Sequence, residues 1–133
     1  MAAKIDGRAR ELLEAKNFCV VGTLRRDGTA HQVPVWVDVE EDHVLLNSAV
    51  GRAWPTNAER DPRVSLLVDN MENPYEYVSI RGRVAEITQE GADAHIDKLA
   101  KKYLDKDSYP FRTPSEQRII VRVEPEHVKM WGG

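Results

Sequence analysis

Apolar positions recur along this chain with two periods. Ile5, Ala9, Leu12 and Leu13 fall at i, i+4, i+7 and i+8, while Lys4, Arg8, Arg10, Glu11 and Glu14 fall between them. That spacing predicts an amphipathic helix lying on a core and ending near Lys16 and Asn17. From Phe18 the pattern is that of strands. Residues 18–24 form the first, Arg25, Arg26, Asp27 and Gly28 make a hairpin turn, and residues 29–39 form the second. In that second strand Val33, Val35, Val37 and Val39 share one face, which reads as core, and Gln32, Pro34, Trp36 and Asp38 share the other. A proline in mid-strand belongs at an edge, a bulge or a split in a barrel. A ligand or another subunit is expected over the second face, where Trp36 reads either as packing filler or as a ligand contact.

Further strands are predicted over residues 44–47, 64–69, 75–87 and 118–123, the fifth carrying an isolated Gly82 that suggests a bulge or a sharp bend. A helix is predicted over residues 89–104, with Thr88 as N-cap and Ala92, Ile96, Leu99, Ala100 and Tyr103 as its apolar stripe. Residues 105–114 form a loop rich in aromatics and proline. The fold class that follows is mainly β: a six-stranded antiparallel β-barrel, in one domain over residues 1–133, with helices at its ends.

The stretch from His43 to Val68 holds the chemistry. Asn47, Ser48, Gly51 and Arg52 leave an apolar strand and enter a short helix containing Pro55, which Asp61 and Pro62 stop. Free backbone N–H groups, a hydroxyl and a guanidinium can converge there on an anion, and the stretch is expected to be the phosphate end of a cofactor site.

Composition narrows the partners. A content of 41% hydrophobic and 31% charged residues is that of a globular protein, and no apolar run approaches a membrane span. The N-terminal stretch lacks the apolar core of a signal peptide, so a cytoplasmic location is expected. A net charge of −3 argues against a broad nucleic-acid footprint. The single cysteine, Cys19, lies in an apolar run and reads as a buried, inert thiol. There is no zinc, hydrolase, dinucleotide or P-loop motif, and His31, His43, His95 and His127 are dispersed and read as solvated or structural. A chain without an evident acid–base pair fits a protein whose cofactor performs the reaction.

The segments TLRRDGTAHQVPVWVD, VLLNSAVGRAWPTNAERDPRVSLLV, NPYEYVSIRGRVAEIT, EGADAHIDKLAKKYL and EQRIIVRVEPEHV, in this order, resemble the split β-barrel family of pyridoxamine-phosphate-oxidase-like proteins. Within it they are most similar to the actinobacterial type that binds the deazaflavin coenzyme F420. The resemblance makes the six-stranded antiparallel barrel a split β-barrel, and it implies a homodimer with cofactor sites between subunits and hydride transfer to a small conjugated acceptor. It also implies that Gln32, Val33, Pro34, Val35 and Trp36 run beside the deazaflavin ring, that Asn47 and Ser48 lie below it, and that Gly51, Arg52 and Asn57 belong to the phosphate end. The partner subunit would contribute from among Tyr75, Tyr77, Tyr109 and Arg118. Trp54 and Pro55 stand where F420-binding relatives commonly carry lysine, so a cation has to come from Arg25, Arg26, Arg60 or the partner, or cofactor binding is altered. FMN is the alternative cofactor, and binding of a flavin-like or haem-like ligand without turnover is the alternative from another class. Oxidation of pyridoxamine phosphate itself is disfavoured, because no second cluster of cations awaits a substrate phosphate.

Overall fold

The computed structural model describes residues 3–132. Among the described residues, three helices accompany one seven-stranded antiparallel sheet. The first helix, α1 (Gly7–Glu14), buries Ala9, Leu12 and Leu13. Its register on the sheet is held by Arg8, whose Nε and Nη2 donate to the two carboxylate oxygens of Glu76 at 2.8 and 2.7 Å. Next comes β1 (Cys19–Leu24), paired with β2 (Ala30–Val35) through the expected hairpin. Then follow β3 (Asp38–Glu40), β4 (His43–Ala49), α2 (Ala53–Arg60), β5 (Arg63–Asp69), β6 (Tyr77–Thr88), α3 (Ala92–Leu104) and β7 (Arg118–Trp131).

The strands lie in the order β2-β1-β5-β6-β7-β4-β3, so the two edges of the sheet are consecutive in the chain. Only Trp36 and Val37 separate them. The single strand expected over residues 29–39 is therefore two, which raises the count from six to seven, and the barrel is split at this point, as the family resemblance implies. The physical reason lies in α3. The backbone N–H of Val37 donates to the Tyr103 hydroxyl at 3.1 Å, and its C=O accepts from Lys102 Nζ at 2.7 Å. Val37 has its polar groups satisfied by a helix, so it can be fully buried without a strand partner. Burial pushes the Tyr103 phenol up to about 12, which keeps it a neutral donor, and the hydroxyl donates its own hydrogen bond to Asn17 O at 2.5 Å.

The expected faces are otherwise present. Val37 and Val39 are buried with Val33 and Val35 packed against the core, and the whole predicted stripe of α3 is buried. Pro34 sits on an edge strand, where its missing N–H costs no ladder bond. Gly82 marks a register shift between β6 and β7, and a Cβ there would stand 2.3 Å from Glu124 O. Two boundaries differ from the sequence pattern. Gly91 rather than Thr88 caps α3, since Thr88 still pairs in β6, and β7 runs on to Trp131 because β6 continues to offer it a partner. No helix among the described residues is long and apolar enough to cross a membrane.

Candidate functional site

A cavity of about 350 Å3 opens beside the split, within the range of small-molecule sites. Its walls come from distant parts of the chain. Phe18 starts one wall, Pro34, Val35 and Trp36 follow from the end of β2, and Ile96 and Leu99 project from α3. Tyr109 and Phe111 come from the loop after α3, while Asn47, Arg52 and Arg118 form the polar end. The aromatic side is ordered by stacking. Trp36 lies parallel to Tyr103 at 5.2 Å, Phe18 covers the same Tyr103 ring at 5.7 Å, and Tyr109 stands edge-on to Trp36 at 6.0 Å. Phe111 meets Tyr109 edge-on at 5.6 Å.

The polar end is a connected chain of hydrogen bonds. Arg118, almost fully buried, donates from Nε to Asn47 Oδ1 at 2.9 Å, pairs through Nη1 with Glu116, and lies over the Tyr109 ring at 5.2 Å. A buried guanidinium needs this many partners to offset its lost hydration. Asn47 Nδ2 lies 3.0 Å from Ala92 O and 3.0 Å from His95 Nδ1, and His95 Nε2 lies 3.1 Å from Asp38 Oδ2. Lys98 Nζ reaches the same carboxylate at 3.0 Å. Burial opposes ionisation of Asp38, yet the hydrogen bonds from His95 and Lys98 prevail and hold its carboxyl down to about 2. Arg52, at the N-cap of α2, is more than half exposed and pairs with Glu116 at 3.2 Å.

The structure thus brings together Pro34, Val35, Trp36, Asn47, Arg52, Tyr109 and Arg118. Tyr109 and Arg118, expected from a partner subunit, line the cavity of their own chain. Other residues named from the sequence lie elsewhere. Gln32 is exposed, Val33 packs against the core, and Ser48 is buried inside the barrel. Gly51 makes the exposed turn into α2 with φ +92°. Trp54 belongs to the hydrophobic core and Pro55 is buried beside it, so the residue in the lysine position packs inward. Asn57 donates to Thr23 Oγ1 at 3.3 Å. Tyr77 stacks on Trp131 at 6.5 Å, and Tyr75 is exposed.

Arg25 and Arg60 spend their guanidinia on main-chain carbonyls of the β1–β2 hairpin, Ala30 O and Leu24 O respectively. The second cation at the cavity is Arg118 instead. Phe18, Phe111, His95 and Glu116 were not among the residues the sequence pointed to for the site. A signal existed for Glu116, because it stands two residues before Arg118 and an extended chain places such a pair on one side.

The family profile described as pyridoxamine 5'-phosphate oxidase matches residues 5–132. The chain belongs to this family. Among solved structures, this pyridoxamine 5'-phosphate oxidase family chain is similar to an F420 reductase, with 26% identity over 90% of this chain and 94% of that one and a TM-score of 0.79. It shares its fold with a conserved hypothetical protein of Mycobacterium tuberculosis (19% identity, 98% and 86% covered, TM-score 0.74). The general stress protein 26 of Bacillus anthracis has the same fold (15% identity, 91% and 88% covered, TM-score 0.68). Comparison with curated proteins finds no match. The fold is of the flavin- and deazaflavin-oxidoreductase type.

Proposed function

We propose that the chain is an F420-dependent oxidoreductase that reduces a small conjugated acceptor of quinone, enone or tetrapyrrole-like kind. One observation carries this reading: a single cavity joins an aromatic wall at Trp36 to a polar end holding two guanidinia. A planar ring with an anionic tail needs both features, and the residues present fit such a group. When bound, the deazaflavin supplies hydride transfer.

The chain's own residues do the rest. Trp36, braced by Tyr103, offers a flat apolar surface, and Val35 and Pro34 bring the edge of β2 to the ring side. Arg52 and Arg118 provide charge for the anionic end, for which a guanidinium is suited by its fork of donors. Asn47 is held between Arg118 and His95, so the polar end is organised before a ligand arrives. Phe18 and Phe111 stand exposed among the cavity-lining residues and can exclude water from a bound ring. A second copy of the chain covering these exposed aromatics would complete the groove, and the homodimer belongs to this proposal.

Fluorescence titration of the purified protein with F420 and with FMN tests the cofactor. Binding of F420 followed by oxidation of its reduced form across a quinone and enone panel is the expected result. Binding of FMN alone would transfer the proposal to that cofactor, binding without turnover would make the protein a carrier, and no binding of either would reject the enzyme.

A further inference from the structure

Both guanidinia at the polar end of the cavity converge on one carboxylate oxygen. Glu116 Oε1 accepts from Arg52 Nη2 at 3.2 Å and from Arg118 Nη1. The Glu116 side chain is only 10% exposed. It is also built into place. Its backbone N–H donates to Thr113 O at 3.2 Å, and the next residue, Gln117, accepts from Val50 N at 2.9 Å. The loop ahead of it is fastened to α3, where Asp97 accepts from Tyr109 N at 2.8 Å and from Arg112 Nη2 at 2.6 Å.

Two like charges held this close need a counter-ion, and a carboxylate between them leaves a net charge of about one positive unit at the cavity end. An incoming anion has to share the guanidinia with Glu116 or displace it from Arg52, the more exposed partner. A singly charged phosphodiester matches the remaining charge. A phosphomonoester, close to doubly charged at neutral pH, meets repulsion from the carboxylate.

We infer that Glu116 is a specificity-determining counter-ion that competes with the ligand's anionic group for Arg52 and Arg118, and so favours a phosphodiester-bearing ligand over a phosphomonoester. The cofactor choice rests on the function proposed above; the competition between Glu116 and an anion does not.

Two measurements separate the two. In the first, inorganic phosphate is titrated into the wild type and Glu116→Gln while the guanidinium Nε–H signals of Arg52 and Arg118 are followed by NMR, with Tm recorded in parallel. The expected result is a gain of about tenfold in phosphate affinity for the variant, with both signals moving. Glu116→Asp, which keeps the charge but shortens its reach, gives a smaller gain and covers the case in which the amide variant does not fold. Equal or weaker phosphate binding in the variants would overturn the inference, since it would make Glu116 a support for the arginines rather than their competitor.

In the second, FMN and riboflavin are compared. Glu116→Gln tightens FMN and leaves riboflavin unchanged if the carboxylate acts on the phosphate; an equal change in both would again overturn the inference. A positive phosphate result with neither F420 nor FMN bound by the wild type or any variant rejects the proposed function and leaves the counter-ion in place.

Discussion

Asn47 carries its amide in one orientation because two of the groups around it can each play only one part. Ala92 O accepts and Arg118 Nε donates, so Oδ1 faces the arginine and Nδ2 faces the carbonyl. The remaining Nδ2 hydrogen then goes to His95 Nδ1, which leaves Nε2–H to donate to Asp38. Asp38 anchors the chain of bonds, and its carboxyl is held at about 2, below its ordinary 3.8. A carboxylate with a depressed folded pKa stabilises above its unfolded value and loses that contribution as pH falls through the folded one. Urea unfolding of wild type against Asp38→Asn should therefore show a wild-type advantage on the order of 1–2 kcal/mol at pH 5 that shrinks between about pH 4 and pH 2. A constant difference over that range would remove Asp38 from the account. Arg52 belongs to the same scale. Its side chain is 55% exposed, so Arg52→Ala should leave Tm nearly unchanged. Cofactor affinity measured by titration should fall by about 1.5–3 kcal/mol if the guanidinium meets the phosphate.

At the scale of elements, the split in the barrel and the cavity beside it have one cause. The chain leaves β2 after Val35, crosses at Trp36 and Val37 and enters β3, and α3 supplies what the sheet withdraws there. Tyr103 does this with its hydroxyl and, on the ring side, supports Trp36 and Phe18. Tyr103→Phe keeps the stack but leaves the Val37 N–H and Asn17 O without this partner. The expected loss is about 1–3 kcal/mol in denaturant unfolding with an unchanged m value, and a loss below a few tenths would show that water replaces the hydroxyl. The stripe of α3 was legible in the sequence because a 3.6-residue period depends on local spacing alone. The break at Trp36 was not, because the alternation continues unbroken from Val33 to Val39 and the groups that satisfy Val37 lie 65 and 66 residues away. Gly82 was readable for the opposite reason: a glycine interrupting a long strand announces its own irregularity.

For the whole molecule, the aromatics Phe18 and Phe111 stand exposed at the mouth of the cavity, where a second copy of the chain would cover them. Light scattering of the purified protein should return twice the chain mass, and Phe18→Ser with Phe111→Ser should shift it toward the monomer if the cavity mouth is part of the interface. Local pattern was enough to place the helices, most of the strands and the passage from Asn47 to Arg52, because periodicity, caps and turn residues act within a few positions. The ordered segments also carried the resemblance to the pyridoxamine 5'-phosphate oxidase family, which the match over residues 5–132 bears out. What local pattern could not decide was which face each residue ends on when its neighbours are remote. Trp54 stands in the lysine position but turns into the core, Arg118 comes from the far end of the chain to supply a cavity cation, and Glu116 meets both guanidinia. The last two depend on contacts across 64 and 71 residues of separation, between Arg52 and Glu116 and between Asn47 and Arg118, which only the pairing of β4 with β7 creates.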